Sequence, residues 1–327
     1  MKIAVCGSIA TDHLMTYQGR FAESLVPDQL DKISLSFLVE DLEVRRGGIG
    51  ANISFGMAKL GHRPVLVGAV GEDFAGYRSW LERHGVQCQH VHVSQTRHTA
   101  RFICTTDEDM AQIATFYAGA MSEARTIELG PVVDACGGID LVVVSPDDPE
   151  AMLRHSAECR SRGLPFAADP SQQLAFMDGA SIRRLVDGAT YLFTNEYEAA
   201  LTEQKTGWSA EEVLRHVRIR VITRGKDGAT VLARGADPIQ VPIAAQVRRV
   251  DPTGVGDGFR AGFLAGLAWD LGHERCAQLG SMLAAYVLET VGTQEYDFDH
   301  GAFLQRFIAA YGAQAAAEVA RNLGQGH

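Results

Sequence analysis

The chain has 327 residues, 46% of them hydrophobic and 21% charged, with a formal net charge of −10. Those values exclude a disordered chain, which lacks the apolar residues to build a core, and the acidic balance argues against a nucleic-acid binder, which needs clustered Lys and Arg. Six cysteines (Cys6, Cys88, Cys104, Cys136, Cys159, Cys276) lie far apart with no C-x-x-C pair, so neither a zinc site nor a disulfide framework is expected and the thiols read as reduced and cytoplasmic.

The chain opens directly on a β-like apolar run, KIAVCG, without the basic and long apolar segments of a signal peptide. A helical pattern over 50–60, the strand PVLVGAV and a helix over 73–84 follow. The alternation resumes with DLVVVSP at 140–146, a helix over 149–162, PFAAD at 165–169, a helix near 181–186 and TYLFTN at 190–195. Continuous apolar strands between helices imply βαβ units and a mainly parallel sheet covered on both faces. One domain over 1–327 accounts for the length. The apolar stretches near 262–269 and 279–288 are too short for a membrane span and read as buried helices, and a last amphipathic helix starts near 301.

Two stretches break this pattern. Residues 32–46 and 98–117 alternate apolar and polar side chains with period two, as antiparallel strands with one wet face do. They are read as one small β lid, with lid segments of about 14–46 and 96–119; two separate surface hairpins are the alternative. Exposed lid edges commonly pair, so a homodimer joined through the lids is expected.

The chemistry concentrates in Asp251-Pro-Thr-Gly-Val-Gly-Asp257, followed at once by the helical pattern GFRAGFLAGLAW. Glycines at a helix start let several amides converge on an anion, so Gly254, Val255, Gly256 and Asp257 form a candidate anion hole. A carboxylate in that first turn repels phosphate but is well placed to take a proton from an attacking hydroxyl; the bland alternative is that Asp257 only caps the helix. The segment is neither a Walker loop nor a dinucleotide fingerprint. A second glycine-rich segment, Arg46-Gly-Gly-Ile-Gly-Ala-Asn52, also opens a helix and places Asn52 one turn into it.

These two segments, in this order and about 200 residues apart, resemble both signatures of the ribokinase-like (PfkB) family of carbohydrate and nucleoside kinases, G-G-x-x-x-N and D-T-x-G-A-G-D, with Pro252 and Val255 as variants. The resemblance implies a three-layer αβα sandwich with a mainly parallel central sheet and a small antiparallel β lid. It implies that Asp257 is the catalytic base, that Asp12 in GSIATD binds sugar hydroxyls with Gly48 and Asn52, and that Asn195 and Glu198 organise Mg2+ through water. For Asn195, a helix N-cap is an equally good reading. Thr223, Gly225 and Gly228 resemble the family's nucleotide-site turn, with Gly256 also on the ATP side. Asp251 and Thr253 match positions that often bind K+ in the family. MgATP is the implied phosphate donor.

Within the family the nearest resemblance is to bacterial, actinobacterial-type adenosine kinases, carried by GSIATDHL, SLSFLV, HTARF, AADPSQQLA and TGWS. It implies phosphorylation of the adenosine 5'-hydroxyl to AMP, with Phe102 and Phe116 sandwiching the base and Ser8, Gln172 and Gln173 reading its polar edge. Another purine nucleoside, ribose, or a catalytically silent binder are the alternatives. Both Phe residues serving only the lid's own core is the bland reading. Phe176 departs from the basic residue of those relatives. Arg260 and His98 carry no assigned role.

Overall fold

The computed structural model describes residues 1–25, 28, 32, 34–245 and 248–323. Its strands are β1 (Ile3–Cys6), β2 (Ala10–Thr16), β3 (Asp41–Gly47), β4 (Val65–Val67), β5 (Ala69–Gly71), β6 (His92–Ser94), β7 (Ala100–Thr106), β8 (Gln112–Tyr117), β9 (Leu141–Val144), β10 (Phe166–Ala168), β11 (Tyr191–Asn195), β12 (Ile219–Thr223), β13 (Ala229–Ala233) and β14 (Ile239–Val241). Eight of them form one sheet in the order β14-β13-β12-β11-β10-β9-β1-β4. The run from β12 to β4 is parallel, and β13 and β14 close one edge antiparallel.

Period-two side-chain alternation explains why these strands are apolar throughout. On β1, Ile3 and Val5 join one buried cluster while Ala4 and Cys6 join another, and on β9 Leu141 and Val143 divide from Val142 and Val144 in the same way. The first cluster packs against the helices Ile49–Lys59, Ala75–Arg83, Val255–Ala268 and His273–Leu288 with the C-terminal helices, and the second against Leu129–Ala135, Pro149–Arg162, Gly179–Val186 and Ala210–His216. The result is a three-layer αβα sandwich. The expected single C-terminal helix is two, His300–Tyr311 and Ala313–Ala320, parted at Gly312, whose φ of 87° a helix does not tolerate.

The lid is a separate four-stranded sheet in the order β3-β2-β7-β8. It departs from expectation in two ways. β2 begins at Ala10, ahead of the expected lid segment, and pairs parallel with β7, so the lid is not purely antiparallel. The 32–46 segment forms a strand only over Asp41–Gly47; residues 34–39 belong to no strand, and Ile33 lies outside the described residues. The lid has its own aromatic cluster, Tyr17, Phe21 and Phe37, with ring centroids 4.8–5.6 Å apart. No helix among the described residues is long and apolar enough to cross a membrane.

Candidate active site

A parallel sheet places the C-terminal ends of its strands on one edge, and open α/β sheets bind ligands there. Ser8 follows β1, Asp147 follows β9, Ser171, Gln172 and Gln173 follow β10, Asn195 ends β11 and Thr223 ends β12, and all of them border one cavity of about 870 Å³. The lid forms the opposite wall. Its register lines up Arg45, Asp12, Phe102 and Phe116 as one row across four strands, and all four side chains belong to residues that border the cavity. Phe102 and Phe116 therefore face the cavity rather than the lid's aromatic cluster, and Phe116 remains 52% exposed.

The floor is the start of the helix Val255–Ala268. Gly254, with φ 75°, is its N-cap, no side chain caps the turn, and a Cβ there would sit 2.7 Å from Thr293 Cγ2. First-turn amides left without a capping side chain suit an anion. Gly48 opens the other glycine-rich helix with φ 91°, where a Cβ would come within 2.6 Å of Ala10 N and Ser8 O. Backbone packed this closely brings Asn52 to Asp257.

Asn52 Nδ2 donates to Asp257 Oδ2 at 2.9 Å, while Asn52 Oδ1 accepts from Thr293 Oγ1 and Gln294 Nε2, each at 2.9 Å. An ionised Asp257 carboxylate can only accept, so the Asn52 NH2 faces it, and the Thr293 hydroxyl lies between Asn52 Oδ1 and the Arg46 carbonyl, 2.9 Å from each. Gln294 also bonds Tyr77 Oη, which donates to Gly47 O at 2.9 Å. Asn52, expected to bind a polyol, borders the cavity, and its amide spans Asp257 on one side and Thr293 with Gln294 on the other. Burial pushes the Asp257 carboxyl up to about 6, with the Asn52 bond and the Arg260 charge pulling it back. Asp12 is likewise pushed up to about 6 by burial, opposed by Arg45.

Arg260, left unassigned by sequence, is buried beside this centre. Its Nη2 lies 2.6 Å from Asp169 Oδ1 and 3.8 Å from Glu198 Oε2, and its Nη1 donates to Gly256 O at 3.1 Å. Asp147 was also missed: it is 2% exposed, its Oδ1 accepts from Asp148 N at 2.8 Å, its carbonyl accepts from Gln173 Nε2 at 2.8 Å, and burial pushes its carboxyl up to about 8. Ser8 Oγ accepts the Ile49 amide at 3.0 Å, which leaves its hydroxyl proton for a ligand. Gln172 and Phe176 stand exposed at the mouth, and His98 is not part of the wall.

Asn195 and Glu198 close a capping box on the helix Glu196–Thr206, so the N-cap reading of Asn195 holds structurally. Both still border the cavity. Among the described residues no group of three His, Cys, Asp or Glu side chains is placed to hold a metal directly. The hard oxygens of Glu198 fit Mg2+ that keeps its waters and arrives with a nucleotide. Asp251 fits K+ poorly: its Oδ1 takes the Thr253 amide at 2.9 Å, its Oδ2 takes the Gly292 amide at 3.1 Å, and Arg45 Nη1 lies 3.8 Å away. Burial works against that charge, but these partners hold the carboxyl below its ordinary value, so a monovalent cation would compete with a fixed guanidinium.

A second cavity of about 490 Å³ shares Thr223, Gly225 and Gly256 with the first. Gly228, Ile243, Ala244, Phe259, Ala284 and Leu288 give it largely apolar walls, as a flat heterocycle requires. Two cavities thus meet at the glycine-opened helix start.

An αβα sandwich with a β lid over its strand ends and a buried carboxylate at that start is the ribokinase-like architecture. The chain belongs to the pfkB family of carbohydrate kinases, whose model matches residues 5–299. The nucleoside kinase of Burkholderia thailandensis in complex with inosine is 36% identical, with a TM-score of 0.81, and the alignment covers 95% of this chain and 98% of that one. The same relative in complex with ADP-inosine is 36% identical, with a TM-score of 0.80, over 95% of this chain and 96% of that one. A nucleoside kinase of Methanothermobacter thermautotrophicus is 30% identical over 289 residues, 87% of this chain and 92% of the relative.

Proposed function

We propose that this chain is an ATP-dependent purine-nucleoside 5'-kinase. The observation that carries the reading is the pair of cavities meeting at Gly256, next to Asp257, one walled by Phe102 and Phe116 and the other largely apolar. The nucleoside lies under the lid. Its base packs between Phe102 and Phe116 and presents its edge to Ser8, Gln172 and Gln173, and its ribose hydroxyls bond Asp12 and the Gly48 backbone. ATP occupies the second cavity along Thr223, Gly225 and Gly228. Asp257 Oδ1 takes the 5'-hydroxyl proton as the 5'-oxygen attacks the γ-phosphoryl, the bond from the γ-phosphorus to the β,γ-bridging oxygen breaks to release ADP, and the amides of Gly254–Asp257 stabilise the charge that develops. Asn195 and Glu198 would hold Mg2+ through water, and the metal would supply charge that neutralises the phosphates. A closed lid keeps water from replacing the acceptor hydroxyl.

The sequence favours adenosine, while the relative with 36% identity is solved with inosine. Together they support a reading wider than adenosine alone, with inosine and adenosine both as acceptors. ADP formation with adenosine, inosine, guanosine and ribose tests it. At least one purine nucleoside should exceed ribose by about tenfold or more in kcat/KM, because ribose leaves the aromatic walls without a partner. A ribose preference would replace this reading with a sugar kinase.

The pH profile follows from the two raised carboxyls. Asp257 works as a base only when ionised, and Asp12 accepts ribose hydroxyl protons best when ionised, so kcat/KM should fall as pH drops through about 6. The acid limb should be steeper than one proton, and Asp12→Asn should return it to one. A wild-type limb flat down to pH 5 would contradict the assignment.

A further inference from the structure

Asp169, Glu198 and Asp257 are three carboxylates gathered from β10, the helix Glu196–Thr206 and the helix Val255–Ala268, and they need a counter-charge. The cation nearest them is Arg260. A helix-face arginine is ordinarily solvated, yet this one is 6% exposed and borders the cavity. Its guanidinium folds back along its own helix, so that Nη1 lies 2.9 Å from where a Cβ on Gly256 would stand. Positive charge thus lies directly behind the turn that would hold the transferred phosphoryl group. Asp169 is 0% exposed, and its 2.6 Å contact with Arg260 Nη2 is what answers its charge. Asp169 in turn fixes the guanidinium 3.8 Å from Glu198.

We propose that Arg260, anchored by Asp169, is a positioning residue of this centre, holding the Glu198 carboxylate and the Gly256 backbone in place at the anion-binding turn. Burial works against the Arg260 charge, but Asp169, Glu198 and Asp257 together more than offset it and keep the guanidinium protonated. Removing the cation alone would leave Asp169 buried and unpaired, which confounds folding with function. Removing both halves of the pair does not. This inference rests on the kinase reading above.

The test compares the wild type, the double variant Asp169→Asn/Arg260→Met and the single variant Arg260→Lys, by thermal melting and steady-state kinetics on the best nucleoside. The double variant keeps side-chain volume and should melt near the wild type. Its kcat should fall about tenfold or more while the nucleoside KM stays within threefold, the split expected of lost transition-state positioning. Arg260→Lys retains the charge but not the planar fork and should recover part of the kcat lost in the double variant. A double variant with kcat within twofold of wild type, or a lysine variant as impaired as the double variant, overturns the role of Arg260. A wild type that phosphorylates no nucleoside and no sugar overturns the kinase reading itself, which keeps the two failures distinct.

Discussion

Asp257→Asn should lower kcat by about 10² to 10⁴-fold, the range of general base catalysis, while nucleoside binding stays within a few-fold of wild type. The substitution is nearly isosteric, and the new side-chain carbonyl can still accept the Asn52 N–H that Asp257 Oδ2 accepts at 2.9 Å. The anion-binding turn is backbone, so its amides are unaffected. What disappears is only a group able to take the proton of the attacking hydroxyl. Turnover near the wild-type rate would remove Asp257 from the chemistry. Loss of nucleoside binding together with turnover would show instead that the carboxylate holds the site together. Single-turnover kinetics with a parallel binding titration separates these outcomes.

Much of the fold could be read because the parallel strands carry unbroken apolar runs and glycines mark both helix starts. The expected helix over 149–162 matches Pro149–Arg162 in full, with Asp148 as N-cap and Gly163 closing it in the left-handed region. β2 was missed for a physical reason. Its residues ATDHLMT are half-buried on both faces, so no period-two contrast appears, and its parallel partner β7 lies about 90 residues away in sequence. At the site, the residues in glycine-rich segments were legible because backbone conformation restricts them. Thr293, Gln294, Tyr77, Asp147 and Asp169 were not, since an isolated polar residue looks the same whether solvated or buried in a network. Arg260 illustrates the limit: its helical position alone assigned it no role, and only the fold revealed Asp169 behind it.

The network around Asn52 yields the sharpest consequence, because a substitution that changes one atom should silence the enzyme without touching the base. Asn52→Asp places a second carboxylate at the position now 2.9 Å from Asp257 Oδ2. Two carboxylates at that distance cannot both ionise near neutral pH and must share a proton. Which one holds it follows from the surroundings: Gln294 Nε2 donates to the Asn52 oxygen, and the Thr293 hydroxyl, 2.9 Å from both that oxygen and the Arg46 carbonyl, can turn its proton to a charge there, so they stabilise the introduced carboxylate as the ionised partner. The proton then sits on Asp257, which becomes a donor and ceases to be a base. At pH 7 kcat should fall by about 10²-fold or more and recover in part as pH rises through the upper titration step of the pair. Asn52→Leu serves as contrast. It leaves only the Asp257 carboxyl to titrate, raised by loss of the Asn52 bond, so it should cost less at pH 7 and recover at a lower pH than Asn52→Asp, while Thr293 Oγ1 keeps the Arg46 carbonyl and Gln294 Nε2 keeps Tyr77 Oη as partners. An Asn52→Asp enzyme within threefold of wild type at pH 7 would mean that the Asn52–Asp257 contact is broken during turnover, and that Asp257 turns away from Asn52 when substrate binds.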